Sequence, residues 1–270
     1  MAILIAASSH DKAALNIADK LIRRHDFKKT RKVFDEKPVY KNGEFLLIFP
    51  SVDDIYANNL GKFFNITEII FASRHKSETG EPTLTVHVPG NLTDQAIYGG
   101  RPNEVALANP QRMKALLLAL LELGKKLEPN YKISLEATHH GPTELTVPAT
   151  FVEIGSSEDR WIDEKAGEVV AEAIWRALLN PSKSPSAVGF GGGHYAPAHT
   201  KITVEQDIAV GHIVPKYALD NVNASMVNAV FQKTIYTCDC AVLDWKGIHG
   251  DAREKLLKIL GDMGINVLRV

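Results

Sequence analysis

The stretch Ala2-Ile3-Leu4-Ile5-Ala6-Ala7-Ser8-Ser9-His10-Asp11 decides how the rest of the chain is read. Six apolar residues without polar alternation predict a strand buried on both faces. The next segment, Asp11–Arg24, places Ala14, Leu15, Ala18, Leu21 and Ile22 on one helical stripe. A buried strand feeding an amphipathic helix is the building unit of a sheet covered by helices. The apolar start is short and has no basic leader, so it reads as a strand and not as a signal sequence.

Working outward, further strands are predicted at Phe45–Phe49, Glu68–Ser73, Leu84–Pro89, Lys132–Thr138, Thr150–Ile154, Ala187–Phe190, Ile208–Ile213, Ala241–Trp245 and Asn266–Val270. Helices are predicted between them. Gln111–Leu127 follows Asn109-Pro110, a capping residue and then proline at the first helical position. Asp159–Leu179 stops before Asn180-Pro181, and Asp251–Leu260 precedes the last strand. This alternation predicts a three-layer α/β fold with a mostly parallel or mixed sheet, as a single unit over residues 1–270. The Pro- and Ser-rich Asn180–Ser186 is the one place suited to a minor boundary.

Composition excludes several classes. With 45% hydrophobic and 23% charged residues over 270 positions, the chain is globular and long enough to bury a core unaided. No apolar run approaches the ~18 residues a membrane span needs, which predicts a soluble protein. Cys238 and Cys240 share one face of a strand, as small buried residues or as two thiolates of a metal site; they form no disulfide framework. A net charge of −1 is not that of a general nucleic-acid binder. One segment departs from this balance. Lys20, Arg23, Arg24, Lys28, Lys29, Arg31 and Lys32 stand against Asp26 alone, either as a solvated helix end and loop or as a patch that neutralises phosphates.

The histidines and glycines fall where strands end. Glu68–Ser73 runs into Arg74-His75-Lys76-Ser77, Lys132–Thr138 into His139-His140-Gly141-Pro142, and Ala187–Phe190 into Gly191-Gly192-Gly193-His194-Tyr195 and on to His199. In a parallel sheet these exits would share one edge, where α/β proteins bind ligands. Alternation places Glu136, Thr138 and, if the strand continues, His140 on one face. Glu153, amid apolar neighbours, needs a cation, a metal or a proton, so it is either half of a buried ion pair or a catalytic or ligating group. His139, His140, His194, His199, Glu136 and Glu153 form the pool of metal ligands, with His139, His140, Glu153 and His194 foremost. His and carboxylate donors suit zinc. Glycines let backbone N–H groups face an anion, and Tyr195 offers a stacking face for a base.

Four blocks at these exits resemble the archaeal and plant type of D-aminoacyl-tRNA deacylase: Ser73-Arg74-His75-Lys76-Ser77, Leu84-Thr85-Val86-His87-Val88-Pro89-Gly90-Asn91, Glu136-Ala137-Thr138-His139-His140-Gly141-Pro142 and Gly191-Gly192-Gly193-His194-Tyr195-Ala196-Pro197. Phe151–Ser156 and Trp161 extend the likeness over most of the chain. The resemblance implies a phosphorylase/hydrolase-like fold akin to peptidyl-tRNA hydrolase, a zinc requirement, and a cytoplasmic, monomeric enzyme acting on D-aminoacyl-tRNA. It implies catalysis by His139, His140, Glu136, Glu153 and His194. Ser73, Arg74, His75 and Lys76 would bind the terminal ribose and phosphates, backbone N–H groups near Gly192 and Gly193 would stabilise the oxyanion, and Tyr195 would stack on the terminal adenine. In that reading a zinc- or His-activated water attacks the ester carbonyl. The rival readings are a zinc peptidase-like or phosphorylase-like enzyme of small molecules, and a tRNA-binding protein without catalysis.

Overall fold

A computed structural model describes all 270 residues. The strands are β1 (Ala2–Ala6), β2 (Lys28–Phe34), β3 (Lys37–Asn42), β4 (Phe45–Ile48), β5 (Ile66–Arg74), β6 (Thr83–His87), β7 (Gly90–Asn91), β8 (Glu104–Val105), β9 (Lys132–Leu135), β10 (Ala149–Gly155), β11 (Ser186–Phe190), β12 (Ala209–Val214), β13 (Cys240–Leu243) and β14 (Asn266–Arg269). Eight of them form one mixed sheet in the order β2-β3-β4-β1-β5-β10-β6-β9. Four form an all-parallel sheet in the order β12-β11-β13-β14, and β7 and β8 pair by themselves. No helix is long and apolar enough to cross a membrane.

Alternation along the strands sorts the large sheet into two faces. Ile70, Ala72, Leu84, Val86, Val152 and Ile154 pack in one core with the helices Lys12–Arg24, Pro110–Gly124 and Glu164–Leu179. That core of 42 buried residues also takes Ala187, Val210, Ile213 and Val242 from the second sheet. The other side of the second sheet packs Val188, Phe190, Val214 and Leu243 against the helices Ala224–Gln232 and Gly250–Asp262. Helices therefore lie on both sides, as the three-layer α/β reading expects.

Three local features differ from the sequence reading. Strand β6 runs antiparallel to β10, and β9 follows β6, so these two strands at one edge of the sheet are reversed relative to β5. Of the segment read as helix end and loop, Lys20–Arg24 is the helix end, but the loop is strand β2 of a β2–β3 hairpin at the sheet edge. The helix predicted over Asp159–Leu179 is two, because Asp163 caps the second through the amides of Lys165 and Ala166. The Asn109-Pro110 signal holds: the Asn109 side chain accepts from the Arg112 amide.

The two sheets are joined where the site lies. Strand β9 leaves the large sheet after Leu135, and the amides of Ala137 and Thr138 then donate to the carbonyls of His194 and Ile213 (2.7 and 2.9 Å). Thr138 consequently turns to the second sheet, where its hydroxyl sits 3.2 Å from His212 Nδ1. It does not share a face with Glu136, because the strand does not continue.

Candidate active site

On the face away from the long helices, a row of polar side chains interrupts the apolar surface. Ser73, Glu153 and Thr85 are cross-strand neighbours, and Phe151 pairs with His87. Five of the ten histidines gather around Glu153 and Glu136: His75, His87, His139, His140 and His194. The exits after β5, β9 and β11 do meet in one cleft of about 540 Å³. They meet over the face of the sheet and not along one carboxyl edge, because β6 and β9 are reversed.

Glu136 is 1% exposed and surrounded by rings: His75 Nδ1 lies 3.2 Å from one oxygen, His194 Nε2 3.7 Å from the same oxygen and His139 Nε2 3.9 Å from the other. Neither oxygen is hydrogen-bonded. His87 is fully buried and stacked on Phe151, yet neither ring nitrogen has a hydrogen-bond partner. Buried polar atoms are normally satisfied, so these two groups mark a place kept for something else.

The ring protons are partly dictated by geometry. His139 Nδ1 lies 2.8 Å from the Ala137 carbonyl, and His140 Nδ1 2.6 Å from the Gly141 carbonyl. A carbonyl can only accept, so each Nδ1 carries the hydrogen and each Nε2 keeps its lone pair. Metal-ligating histidines are commonly oriented in this way. His140 adopts φ +46°, uncommon for a non-glycine residue. Its carbonyl accepts from the Gly90 amide at 2.6 Å, which holds that conformation.

Charge divides unequally among these groups. Burial opposes the charged form of His75, but the hydrogen bond to Glu153 and the charge of Glu136 outweigh it and raise the ring to about 10. Burial raises Glu136 to about 7 against the pull of His75. Burial acts in the same sense on Glu153, but the neighbouring imidazoles of His75 and His87, 3.4 and 3.7 Å away, hold it below the usual carboxylate range. Burial, then the charge of His87, lowers His140 to about 3 and His194 to about 4, and the same causes keep His139 neutral. The site thus combines neutral imidazoles at His139, His140 and His194, a cationic His75, and two carboxylates of different basicity.

Three groupings could hold a metal ion: His87 with His139 and His140; His75 with Glu136 and His194; His87 with Glu136 and Glu153. Each brings its ligand atoms within 4.8 Å of one another. His87 was absent from the candidates named on sequence, although Thr85 and His87 alternate with Leu84, Val86 and Val88 on an otherwise apolar strand. The predicted His139, His140, Glu136, Glu153 and His194 all come together.

Other candidates fare differently. Ser73, Arg74, His75 and Lys76 all line the cleft, but the Arg74 guanidinium is engaged by Asp53 and Asp11, which leaves Lys76 as the exposed cation. The Tyr195 hydroxyl sits 3.0 Å from His75 Nε2, so Tyr195 orients that ring. Gly192 and Gly193 do not line the cleft, and the Gly192 amide is spent on the Gly247 carbonyl at 3.1 Å. His199 is fully buried in the helix Pro197–Glu205, against the Val242 carbonyl, away from the cleft. Most of the basic cluster is neutralised within the chain: Lys20 pairs with Glu164 and Asp19, Arg23 with Asp19, Arg24 with Glu168 and Lys28 with Asp26. Lys29, Arg31 and Lys32 remain without acidic partners.

Fold and site together define a mixed α/β protein with a buried His–carboxylate centre suited to hydrolytic, metal-assisted chemistry. The family model described as D-aminoacyl-tRNA deacylase matches residues 62–268, and the chain belongs to that family. It is 41% identical over 280 residues to the D-aminoacyl-tRNA deacylase of Pyrococcus horikoshii, covering 98% of this chain and 99% of that protein. The protein of the same name from Thermococcus onnurineus is 39% identical over 274 residues, with the same coverage. The crystal structure of a conserved protein of unknown function matches with a TM-score of 0.91 and 34% identity, covering 99% of this chain and 95% of that one.

Proposed function

We propose that this chain hydrolyses the ester between a D-amino acid and the terminal ribose of tRNA, releasing both, as a single cytoplasmic catalytic unit spanning residues 1–270. The observation that carries the reading is the pair of unsatisfied buried groups, Glu136 and His87, packed against the histidines that line the cleft. Family membership favours it over a small-molecule enzyme and over a non-catalytic tRNA binder. The donor set fits zinc, because orphaned nitrogens and oxygens converge and the tautomers of His139 and His140 leave Nε2 free. His87, His139 and His140 would hold the ion, which when bound would polarise the ester carbonyl and make water a better nucleophile.

The remaining steps belong to the chain. Glu136, near neutrality in its affinity for a proton, takes one from the attacking water and returns it to the ribose oxygen as the ester breaks. His75 stays cationic between the two glutamates and is fixed by Tyr195, so two carboxylates coexist in a nearly dry site. His194, held neutral 3.7 Å from Glu136, does not compete with it for that proton. The exposed Tyr98 lines the mouth of the cleft and offers a stacking face for an unpaired base. Tyr98→Ala is expected to raise the Michaelis constant for charged tRNA about tenfold with kcat nearly unchanged, and Tyr98→Phe to restore it.

The test is release of D-tyrosine from D-tyrosyl-tRNA, with L-tyrosyl-tRNA as control and zinc content measured in parallel. Chelation should abolish release, and added zinc should restore it. Full activity after complete zinc removal would overturn the metal assignment alone. Equal cleavage of the L-ester would overturn the proposed chirality.

A further inference from the structure

The same cleft contains a second set of charged side chains: Asp11, Asp53, Asp54 and Arg74. Asp54 is 3% exposed, yet neither of its carboxylate oxygens has a hydrogen-bond partner. Its neighbours are occupied elsewhere. Asp11 caps the helix Lys12–Arg24 through the amides of Ala13 and Ala14, and accepts from the Arg74 amide and the Ser73 hydroxyl. Arg74 lies 3.5 Å from Asp11 and 3.4 Å from Asp53. Two of the three carboxylates thus share one guanidinium, and Asp54 pairs with none. Burial first, and the charge of Asp11 next, push the Asp54 carboxyl well above the usual carboxylate range. A buried carboxylate without a partner is costly, and one kept in the wall of a cleft is suited to an arriving cation.

Two contacts place this cluster next to the reaction centre. The carbonyl of Ile55 packs against Gly141, where an added Cβ would come within 2.6 Å of its oxygen, and Gly141 follows His140 directly. On the other side Ser73, bonded to Asp11, is the strand neighbour of Glu153, about 5 Å away across the sheet. In an aminoacyl ester one carbon separates the ammonium nitrogen from the carbonyl carbon. A carbonyl held at the His–Glu centre therefore brings that ammonium to the adjoining wall.

We propose that Asp54, flanked by Asp11 and Asp53, receives the free α-ammonium group of the aminoacyl ester, so that the cleft selects unblocked amines over N-acylated ones. This inference rests on the deacylase reading. With carbonyl and ammonium both fixed, the hydrogen and the side chain on the α-carbon have only one arrangement for each hand. The subsite would thereby contribute to chirality as well.

The experiment compares three esters on the wild-type chain: D-phenylalanyl-tRNA, N-acetyl-D-phenylalanyl-tRNA and D-phenyllactyl-tRNA. The two that lack an ammonium are expected to show kcat/KM lower by about 10²-fold, because the buried acid is left unpaired. Asp54→Asn is expected to lower kcat/KM for the free-amine ester by about 10²-fold and to collapse the preference. Equal turnover of the three esters by the wild type, or an intact preference in Asp54→Asn, would overturn the inference. Elemental analysis should find equal metal in both proteins; one equivalent lost from Asp54→Asn would assign the cluster to a divalent cation and overturn it too. If the variant fails to fold, the wild-type comparison still decides. Release from none of the three esters would defeat the deacylase reading itself, and this inference with it.

Discussion

Glu136→Gln is expected to lower kcat on D-tyrosyl-tRNA by about 10²–10⁴-fold, with the Michaelis constant within roughly threefold of wild type. The substitution keeps the shape of a side chain that is 1% exposed and removes only its capacity to take a proton. His75 retains Glu153 as its partner at 3.4 Å, so the local charge balance is not lost altogether. A general base acts in the transition state and contributes little to ground-state binding, which is why the loss should fall on kcat. His140→Ala makes the contrasting case. It removes an Nε2 lone pair that the Gly141 carbonyl has oriented, so it should lower bound zinc together with activity. Single-turnover release of D-tyrosine, with elemental analysis of each variant, separates the two. Undiminished turnover in Glu136→Gln would remove Glu136 from the mechanism whatever the metal content.

Much of this arrangement was legible from the chain because the physical signals are local. The apolar run at β1, the amphipathic helix after it, the Asn109-Pro110 helix start and the lone carboxylate Glu153 each follow from a few consecutive residues. His139, His140 and His194 could be nominated because polar residues at strand exits are unusual enough to notice. The rest depends on long-range placement. The reversal of β6 and β9 leaves no mark on apolar strands that look alike in either direction. The hairpin β2–β3 is mostly exposed and dense in Lys and Arg, so no buried face imposes an alternation. Asp53 and Asp54 sit in a short connection, and only its packing on Gly99 and Gly141 brings them to the cleft. His199 is lost to long-range placement too: Pro197 is the first residue of the helix that carries it away from the cleft.

The largest effect on stability is expected away from the cleft. Arg112 and Glu68 are both buried, and they bond in two places: Arg112 Nη2 lies 3.0 Å from Oε2, and Nε 3.1 Å from Oε1. Asn109 donates to the same carboxylate at 3.0 Å while capping the helix, and Arg112 also donates to the Ala177 carbonyl. One ion pair thus ties β5 to the start of one helix and the end of another. Arg112→Met should destabilise the fold by about 3–5 kcal/mol, because Glu68 is left charged and buried with only Asn109 for company. For a chain of this size that corresponds to a fall in melting temperature of roughly 10 °C. Combining Arg112→Met with Glu68→Met should recover most of the loss, since replacing both charges by apolar groups of similar volume is often nearly neutral. Urea unfolding of the two single variants and the double variant measures the cycle. A single variant as stable as the wild type would show that the pair contributes nothing. A double variant as unstable as the worse single one would show that the loss comes from packing and from the Ala177 contact, and not from an unpaired charge.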